Sequence, residues 1–124
     1  MLQAIAKGEI AGYLPDQDYG RRRVEFVPFF NVPDASTTTG TTLFAKHPNC
    51  NVIVSRCVRR NDGTGYDVFY EPMLSDFPSG DDKADAARIN KLVERAVEQA
   101  PEQYLWVHRR FKTRPREDMQ SYYN

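Results

Sequence analysis

Three groups of residues in this 124-residue chain have types and spacings that chemistry can use. Asp16 and Asp18 lie two apart in Pro15-Asp-Gln-Asp-Tyr-Gly20, so an extended backbone would aim both carboxylates to one side, with Gln17 between them. Such a pair can share a proton or hold a cation. The competing reading is a Pro-Asp turn whose side chains bond their own backbone. The second group, His108-Arg-Arg-Phe-Lys-Thr-Arg-Pro-Arg116, contains five permanent cations and no acid, with Phe111 inside it and Trp106 just before. Arginine forks bind phosphate or carboxylate bidentately, and aromatic groups beside cations suit a lipid–water boundary or stacked bases. A solvated tail is the plain alternative. Arg21–Arg23 and Arg56, Arg59 and Arg60 would extend the same field if they fold onto the same side. The third group is the two histidines, His47 and His108. Positions four and five residues later hold Asn51 and Val52, and Lys112 and Thr113, so neither histidine has a local acid to orient it as a general base. Both read as surface or capping residues.

The elements that must position these groups belong to one modest domain. At this length roughly two thirds of the unfolded chain's surface leaves water on folding, which supports one core. Hydrophobic residues make up 40% and charged residues 27%, which excludes wholesale disorder and a coiled coil. Lys plus Arg (17) balances Asp plus Glu (17), so no global field draws the chain to nucleic acid or an acidic membrane. No apolar run approaches the roughly 18–20 residues of a membrane span, and Met1–Gly8 lacks a signal-peptide core. Cys50 and Cys57, seven apart on one expected strand, would face opposite ways about 23 Å apart, too far for a disulfide. With no Cys-x-x-Cys and no nearby pair of histidines, neither metal nor cofactor is expected, and a reduced, cytosolic setting fits best.

Periodicity places a short helical turn at Leu2–Lys7 ended by Gly8, strands at Glu9–Leu14 and Val24–Phe30, and a loop at Asn31–Ser36. A helix follows over Thr37–Lys46, with Ser36 as its N-cap. Asn51–Arg60 and Tyr66–Glu71 read as a hairpin closed by Asn61-Asp-Gly-Thr-Gly65. The strongest helix is Lys83–Ala100, with Ile89, Leu92, Val93, Ala96, Val97 and Ala100 on one face and Arg88, Lys91, Glu94, Arg95 and Glu98 on the other. Pro101 then opens a short helix, Glu102–Val107. The order predicts an α/β or α+β fold, a mixed sheet with flanking helices.

With these pieces in order, Pro101-Glu-Gln-Tyr-Leu-Trp-Val-His-Arg-Arg-Phe-Lys-Thr-Arg-Pro115, following a helix with Ile89-Asn90, closely resembles the carboxyl-terminal portion of bacterial lipid A biosynthesis acyltransferases, in the lysophospholipid acyltransferase-like superfamily. Earlier pieces agree in sequence order: Gly8-Glu9, Pro15–Gly20, Phe26-Val-Pro-Phe-Phe30, Thr37-Thr38, Gly40-Thr41, Arg59-Arg60, Asp62-Gly63 and Gly65-Tyr66. Asn31, where many relatives have Gly, departs from the pattern at one turn only. The resemblance implies a domain portion over residues 1–115 and a polar tail over 116–124.

It also implies acyl transfer from acyl carrier protein to a hydroxyl of a lipid A precursor, at the cytoplasmic face of the bacterial inner membrane. The family's signature is a His with an acid five positions on, the base and its orienting partner. This chain contains no such pair. The expectation is therefore a fragment, inactive by itself, whose catalytic motif and amino-terminal membrane anchor lie elsewhere. Asp16, Gln17 and Asp18 would line the substrate pocket, while Arg59, Arg109, Arg110, Lys112 and Arg114 would attract sugar phosphates or the acidic carrier. The fragment itself would be soluble or peripheral to the membrane surface, without nucleic acid. The alternative from another class is a non-catalytic module that binds anionic lipid or nucleic acid through the same cations.

Overall fold

The computed structural model describes residues 1–123. Its elements are α1 (Leu2–Ala6), β1 (Val24–Phe29), β2 (Val32–Thr38), α2 (Gly40–Ala45), β3 (Ser55–Arg59), β4 (Tyr66–Tyr70) and α3 (Asp82–Glu98). Single 3-10 turns follow at Pro101–Gln103 and Trp106–His108. Helices and strands combine as expected, but the strands pair as two separate antiparallel hairpins, β1–β2 and β3–β4.

The β1–β2 hairpin replaces an expected loop. Asn31–Ser36 carries Pro33, Asp34 and Ser36, a turn-like composition, yet Val24 to Val27 pair with Thr38 to Ala35 in register. Propensity loses here to burial, since Ala35, Ser36 and Thr37 are all buried. Ser36 consequently sits in β2, not at a helix end, and α2 starts later, at Gly40. Pro28 interrupts β1, and the register shifts between Val27 and Phe29. Proline cannot donate to a ladder, so the irregularity falls where a donor is missing. The hairpin turns through Phe30, whose φ of 50° is unusual for a bulky side chain.

Gly40 is required by close approach. Tyr13 donates to or accepts from Thr38 Oγ1 at 2.9 Å and packs edge-on against Phe44, and a methyl group on Gly40 would overlap the Tyr13 hydroxyl. By contrast, the expected strand Glu9–Leu14 has no ladder partner among the described residues, and Ile10 is fully exposed. Period-2 patterning alone does not make a strand without a neighbour to bond.

The expected α3 begins one residue early and ends two early. Asp81 caps it, accepting from Lys83 N–H at 2.9 Å and Ala84 N–H at 3.0 Å. Ala86, Ile89 and Val97 join Val27, Phe29 and Ala35 in the core, so α3 covers the β1–β2 hairpin. The buried stripe also takes in Asp85, Asn90 and Glu94, whereas Leu92 and Val93 are only half-buried. Glu94, read from its pattern as solvent-facing, is turned inward because its carboxylate holds Phe30 N–H at 2.6 Å and Lys91 Nζ at 2.7 Å. Asn90 donates from Nδ2 to the Pro28 carbonyl at 2.8 Å and to Thr37 Oγ1 at 2.9 Å. These polar ties fix the helix to both strands at the bulge.

The β3–β4 hairpin is shorter than expected but has the foreseen turn. Arg60 N–H donates to Gly65 O at 2.9 Å, and Asp62 accepts from Thr64 N–H and hydroxyl. Cys57 lies on β3 and Cys50 precedes it, so the parity argument drawn for one strand does not apply; both are free thiols. The segment expected as a helix at Glu102–Val107 is two isolated 3-10 turns. Among the described residues no helix is long and apolar enough to cross a membrane.

Candidate functional site

The aspartate loop and the basic segment, some 90 residues apart, meet in space. Asp18 is buried, and its carboxylate is saturated: Oδ1 accepts from Gly20 N–H at 2.9 Å and Thr113 hydroxyl at 2.8 Å, while Oδ2 accepts from Thr113 N–H at 2.8 Å. Asp18 N–H in turn donates to His108 Nε2 at 3.2 Å. Three donors of the chain's own thus occupy the Asp18 carboxylate. No cluster of three or more metal-ligating side chains occurs among the described residues. Asp16 lies half-buried beside Tyr104, whose hydroxyl donates to the Asp16 carbonyl at 3.5 Å, the outer limit of such a bond. Burial, then the Asp16 charge, pushes the Tyr104 hydroxyl well above the ordinary tyrosine value, so it stays protonated. Gln17, between the aspartates, is half-buried.

The five cations of the basic segment separate into different roles. Arg110, expected to face an anionic substrate, is 4% exposed. Its Nη1 donates to Ser36 O at 2.6 Å, its Nη2 to Thr37 Oγ1 at 3.1 Å, and the guanidinium lies 4.9 Å from the Phe29 ring centroid. Burial lowers its pKa, against the pull of Tyr104, Asp18 and Asp16. Arg110 is thus a bolt through the hairpin, not a surface hand. Arg114 donates to Asp34 at 2.7 Å and stacks 3.8 Å from the Tyr122 ring centroid. Arg109, at φ 52°, is exposed near Tyr123. Lys112 is exposed and makes no ion pair with another described residue.

Lys112 and Arg114 line an open cleft of about 350 Å³ together with Arg21, Arg116, Glu117 and Met119. Arg21 is drawn there by a 2.8 Å bond from Nη1 to the Pro115 carbonyl. Arg59 lines a second cleft with Arg60 and Glu102, and its backbone is clamped at both N–H and C=O by Gln103 at 2.8 and 3.1 Å. The structure thus brings Lys112 and Arg114 together with Arg21 and Arg116, and leaves Arg59 with a different set. Residues 116–124, expected as a polar tail, touch the body in their described part: Tyr122 meets Arg114, and Tyr123 hydroxyl accepts from Phe111 N–H at 3.1 Å. Thr113, Asp34 and Tyr122 were not foreseen. Only the alternation of arginine and aromatic residues over 109–123 hinted at the stacking.

Neither histidine has a carboxylate partner among the described residues. His108 Nε2 takes the Asp18 N–H, and His47 Nδ1 takes Asn49 N–H at 3.4 Å. The two clefts set cationic donors side by side, and no histidine–carboxylate pair occurs among the described residues.

The sequence model of a family described as bacterial lipid A biosynthesis acyltransferase matches residues 1–113. The lipid A biosynthesis palmitoleoyltransferase of Escherichia coli (strain K12) is 43% identical over 115 residues, covering 93% of this chain and 37% of the relative. The lipid A biosynthesis lauroyltransferase of the same organism is 45% identical over 115 residues, 93% of this chain and 38% of its own length. A lipid A biosynthesis acyltransferase of Haemophilus influenzae is 42% identical over 125 residues, 100% of this chain and 40% of its length. The chain therefore spans 37–40% of the length of these relatives.

Proposed function

This chain belongs to the bacterial lipid A biosynthesis acyltransferase family, and from that premise we propose that it is the substrate-holding part of an O-acyltransferase. The reaction is attack of a hydroxyl of a lipid A precursor on the thioester carbonyl of an acyl carrier protein. The C–O bond forms, the C–S bond breaks, and the hydroxyl proton passes through a base to the departing thiolate. An alcohol needs that base, whose help is worth roughly 10²–10⁴ in rate. These 124 residues hold no His with an acid five positions on, so the base comes from polypeptide that they do not include.

What they contribute is anion recognition. Lys112 and Arg114, with Arg21 and Arg116, face one cleft, and Arg59 with Arg60 faces the other. Sugar phosphates and the acidic carrier protein are the matching partners. Leu105, Trp106 and Val107 are 64%, 52% and 83% exposed just before the basic segment, a composition suited to a membrane surface at the cytoplasmic face of the inner membrane. Nucleic acid is not a partner in this reading, since the net charge is zero.

The family match across residues 1–113 carries the reading. The test uses the purified chain with a radiolabelled acyl carrier protein and a bisphosphorylated lipid A precursor in mixed micelles. The precursor binds and no label transfers. Turnover by the chain alone would overturn the division of labour, and absence of precursor binding would overturn the substrate-holding role.

A further inference from the structure

The two edges of the β3–β4 hairpin differ in how their backbone groups are met. In an antiparallel ladder alternate residues turn N–H and C=O inward to the paired strand and outward to the edge. Arg60 N–H donates to Gly65 O and Glu71 N–H to Val54 O, both at 2.9 Å, which fixes the inward set. Ser55, Cys57 and Arg59 on β3, and Tyr66, Val68 and Tyr70 on β4, therefore turn their backbone groups outward. On the β3 side Gln103 stands in for a strand, accepting Arg59 N–H at 2.8 Å and donating to its carbonyl at 3.1 Å. On the β4 side Tyr66, Val68 and Tyr70 meet no backbone partner among the described residues.

Strand β4 also lacks the features that keep an exposed edge solitary. Tyr66-Asp-Val-Phe-Tyr70 has no lysine, no proline and no bulge, and most of its residue types favour strands. Its single charge, Asp67, is held by Arg60 at 2.6 and 2.8 Å. Tyr66, Val68 and Tyr70 share one face of the hairpin and are 64%, 52% and 73% exposed. An open edge of this composition is a template for another strand.

We infer that the β4 edge is a pairing surface for a second copy of this chain, joined antiparallel about a twofold axis through Val68. Charge selects that register. With Val68 opposite its own copy, Tyr66 lies opposite Tyr70 of the other chain and Asp67 opposite Phe69. Sliding the copies by two residues one way sets Asp67 against Asp67, and sliding the other way sets Asp67 against Glu71, like charges directly opposed. Larger slides run β4 into the turn ending at Gly65, or against Pro72, which has no N–H to give. Slides by one residue face outward groups with inward ones. The Val68 register exchanges roughly six backbone hydrogen bonds and sets a Tyr66–Tyr70 pair on either side of the axis. The product is an isologous four-stranded sheet, β3-β4-β4-β3. It depends on neither acyl transfer nor precursor binding, so it stands or falls apart from the reading above.

The test uses the full 124-residue chain. Sedimentation equilibrium from the micromolar to the millimolar range should show its mass doubling. Over the same range the outward amides of Tyr66, Val68 and Tyr70 should slow roughly tenfold in hydrogen exchange as they gain acceptors. Val68→Lys places two ammonium groups at the axis and should keep the chain monomeric throughout, while Glu98→Lys, exposed on α3, should leave the doubling unchanged. A cross-linking arm decides the question even where Val68→Lys disturbs the hairpin. Cys57 stands opposite Val68 within one chain, so Cys50 and Cys57 are first replaced by serine. In that background Val68→Cys sets two thiols on the axis, with Cα atoms about 5.5 Å apart and within disulfide range, so mild oxidation should yield a covalent dimer. Tyr66→Cys, whose copies would stand about 13 Å apart along the strands, should stay uncross-linked. A dimer that Val68→Lys leaves intact, or equal cross-linking at both positions, would overturn the pairing. So would a chain that stays monomeric at every concentration and does not cross-link, and the edge then belongs to a different polypeptide.

Discussion

Asp18 holds Thr113 at two points, its Oδ2 accepting the Thr113 N–H and its Oδ1 the Thr113 hydroxyl, each at 2.8 Å. Ninety-five residues separate the partners along the chain, so this clasp closes the aspartate loop onto the basic segment. A buried carboxylate with three donors is a structural acceptor first.

Asp18→Asn replaces one acceptor with an amide that faces a donor. It should cost about 1–3 kcal/mol of stability, the penalty of leaving a buried hydrogen-bonding group unmatched. Thr113→Val, which removes the hydroxyl alone, should cost less than Asp18→Asn. Urea unfolding of both variants orders the two effects; a neutral Asp18→Asn would contradict the clasp.

The basic segment divides into a buried and an exposed cation, and two alanine variants read that division. Arg110→Ala strips the Ser36 carbonyl and Thr37 hydroxyl of a charged donor and should destabilise by about 2–3 kcal/mol. Lys112→Ala should stay within about 0.5 kcal/mol, as for any surface position. Thermal unfolding by circular dichroism measures both.

Glu94 stabilises the positive φ of Phe30 by accepting its N–H at 2.6 Å. Glu94→Ala should cost about 1–3 kcal/mol by orphaning that donor. Glu94→Gln, which keeps an acceptor, should recover part of the loss. Hydrogen exchange at the Phe30 amide should quicken in the alanine variant before global unfolding does.

Gly40→Ala should destabilise by about 1–3 kcal/mol, because the added methyl displaces the Tyr13 ring from Thr38 and Phe44. Gly12→Ala, where nothing stands within 4 Å, is the matched control and should be near neutral. Differential scanning calorimetry separates them.

In the β3–β4 hairpin the Arg60 side chain, donating to Asp67 at 2.6 and 2.8 Å, holds the Asp67 carboxyl below its ordinary value. Hydrogen bonds from Thr64 do the same for Asp62. A depressed folded value means that the stabilisation is present above the ordinary aspartate range and fades as pH falls through the folded value. Carboxyl NMR titration should place both groups below an ordinary aspartate. Asp67→Asn should remove the corresponding acid dependence of hairpin amide protection, and a wild-type slope in that variant would refute the assignment.

Much of this was legible without coordinates, and the divisions have physical causes. Helix α3 was readable because its apolar residues recur at three-and-four spacing, as was the Asn61–Gly65 turn. Strand β2 was not, because Pro33, Asp34 and Ser36 signal a turn and only pairing with β1 under α3 makes the segment extended. The inward rotation of Glu94 escaped periodicity for a similar reason: a charged residue is placed on the wet face by pattern, and only a donor such as Phe30 N–H justifies turning it inward.

From the linear order of residues alone came the family, the mixture of helix and strand, the concentration of cations after Trp106, and the lack of a histidine with an acid five positions on. Those depend on which residues are present and how they are spaced. Which cation is buried and which faces a cleft, which aspartate is consumed as a clasp, and that Arg21 joins Lys112, depend on contacts between segments about 75 to 95 residues apart. Desolvation and hydrogen-bond satisfaction decide such roles, and both are properties of the folded environment, absent from any local stretch of chain.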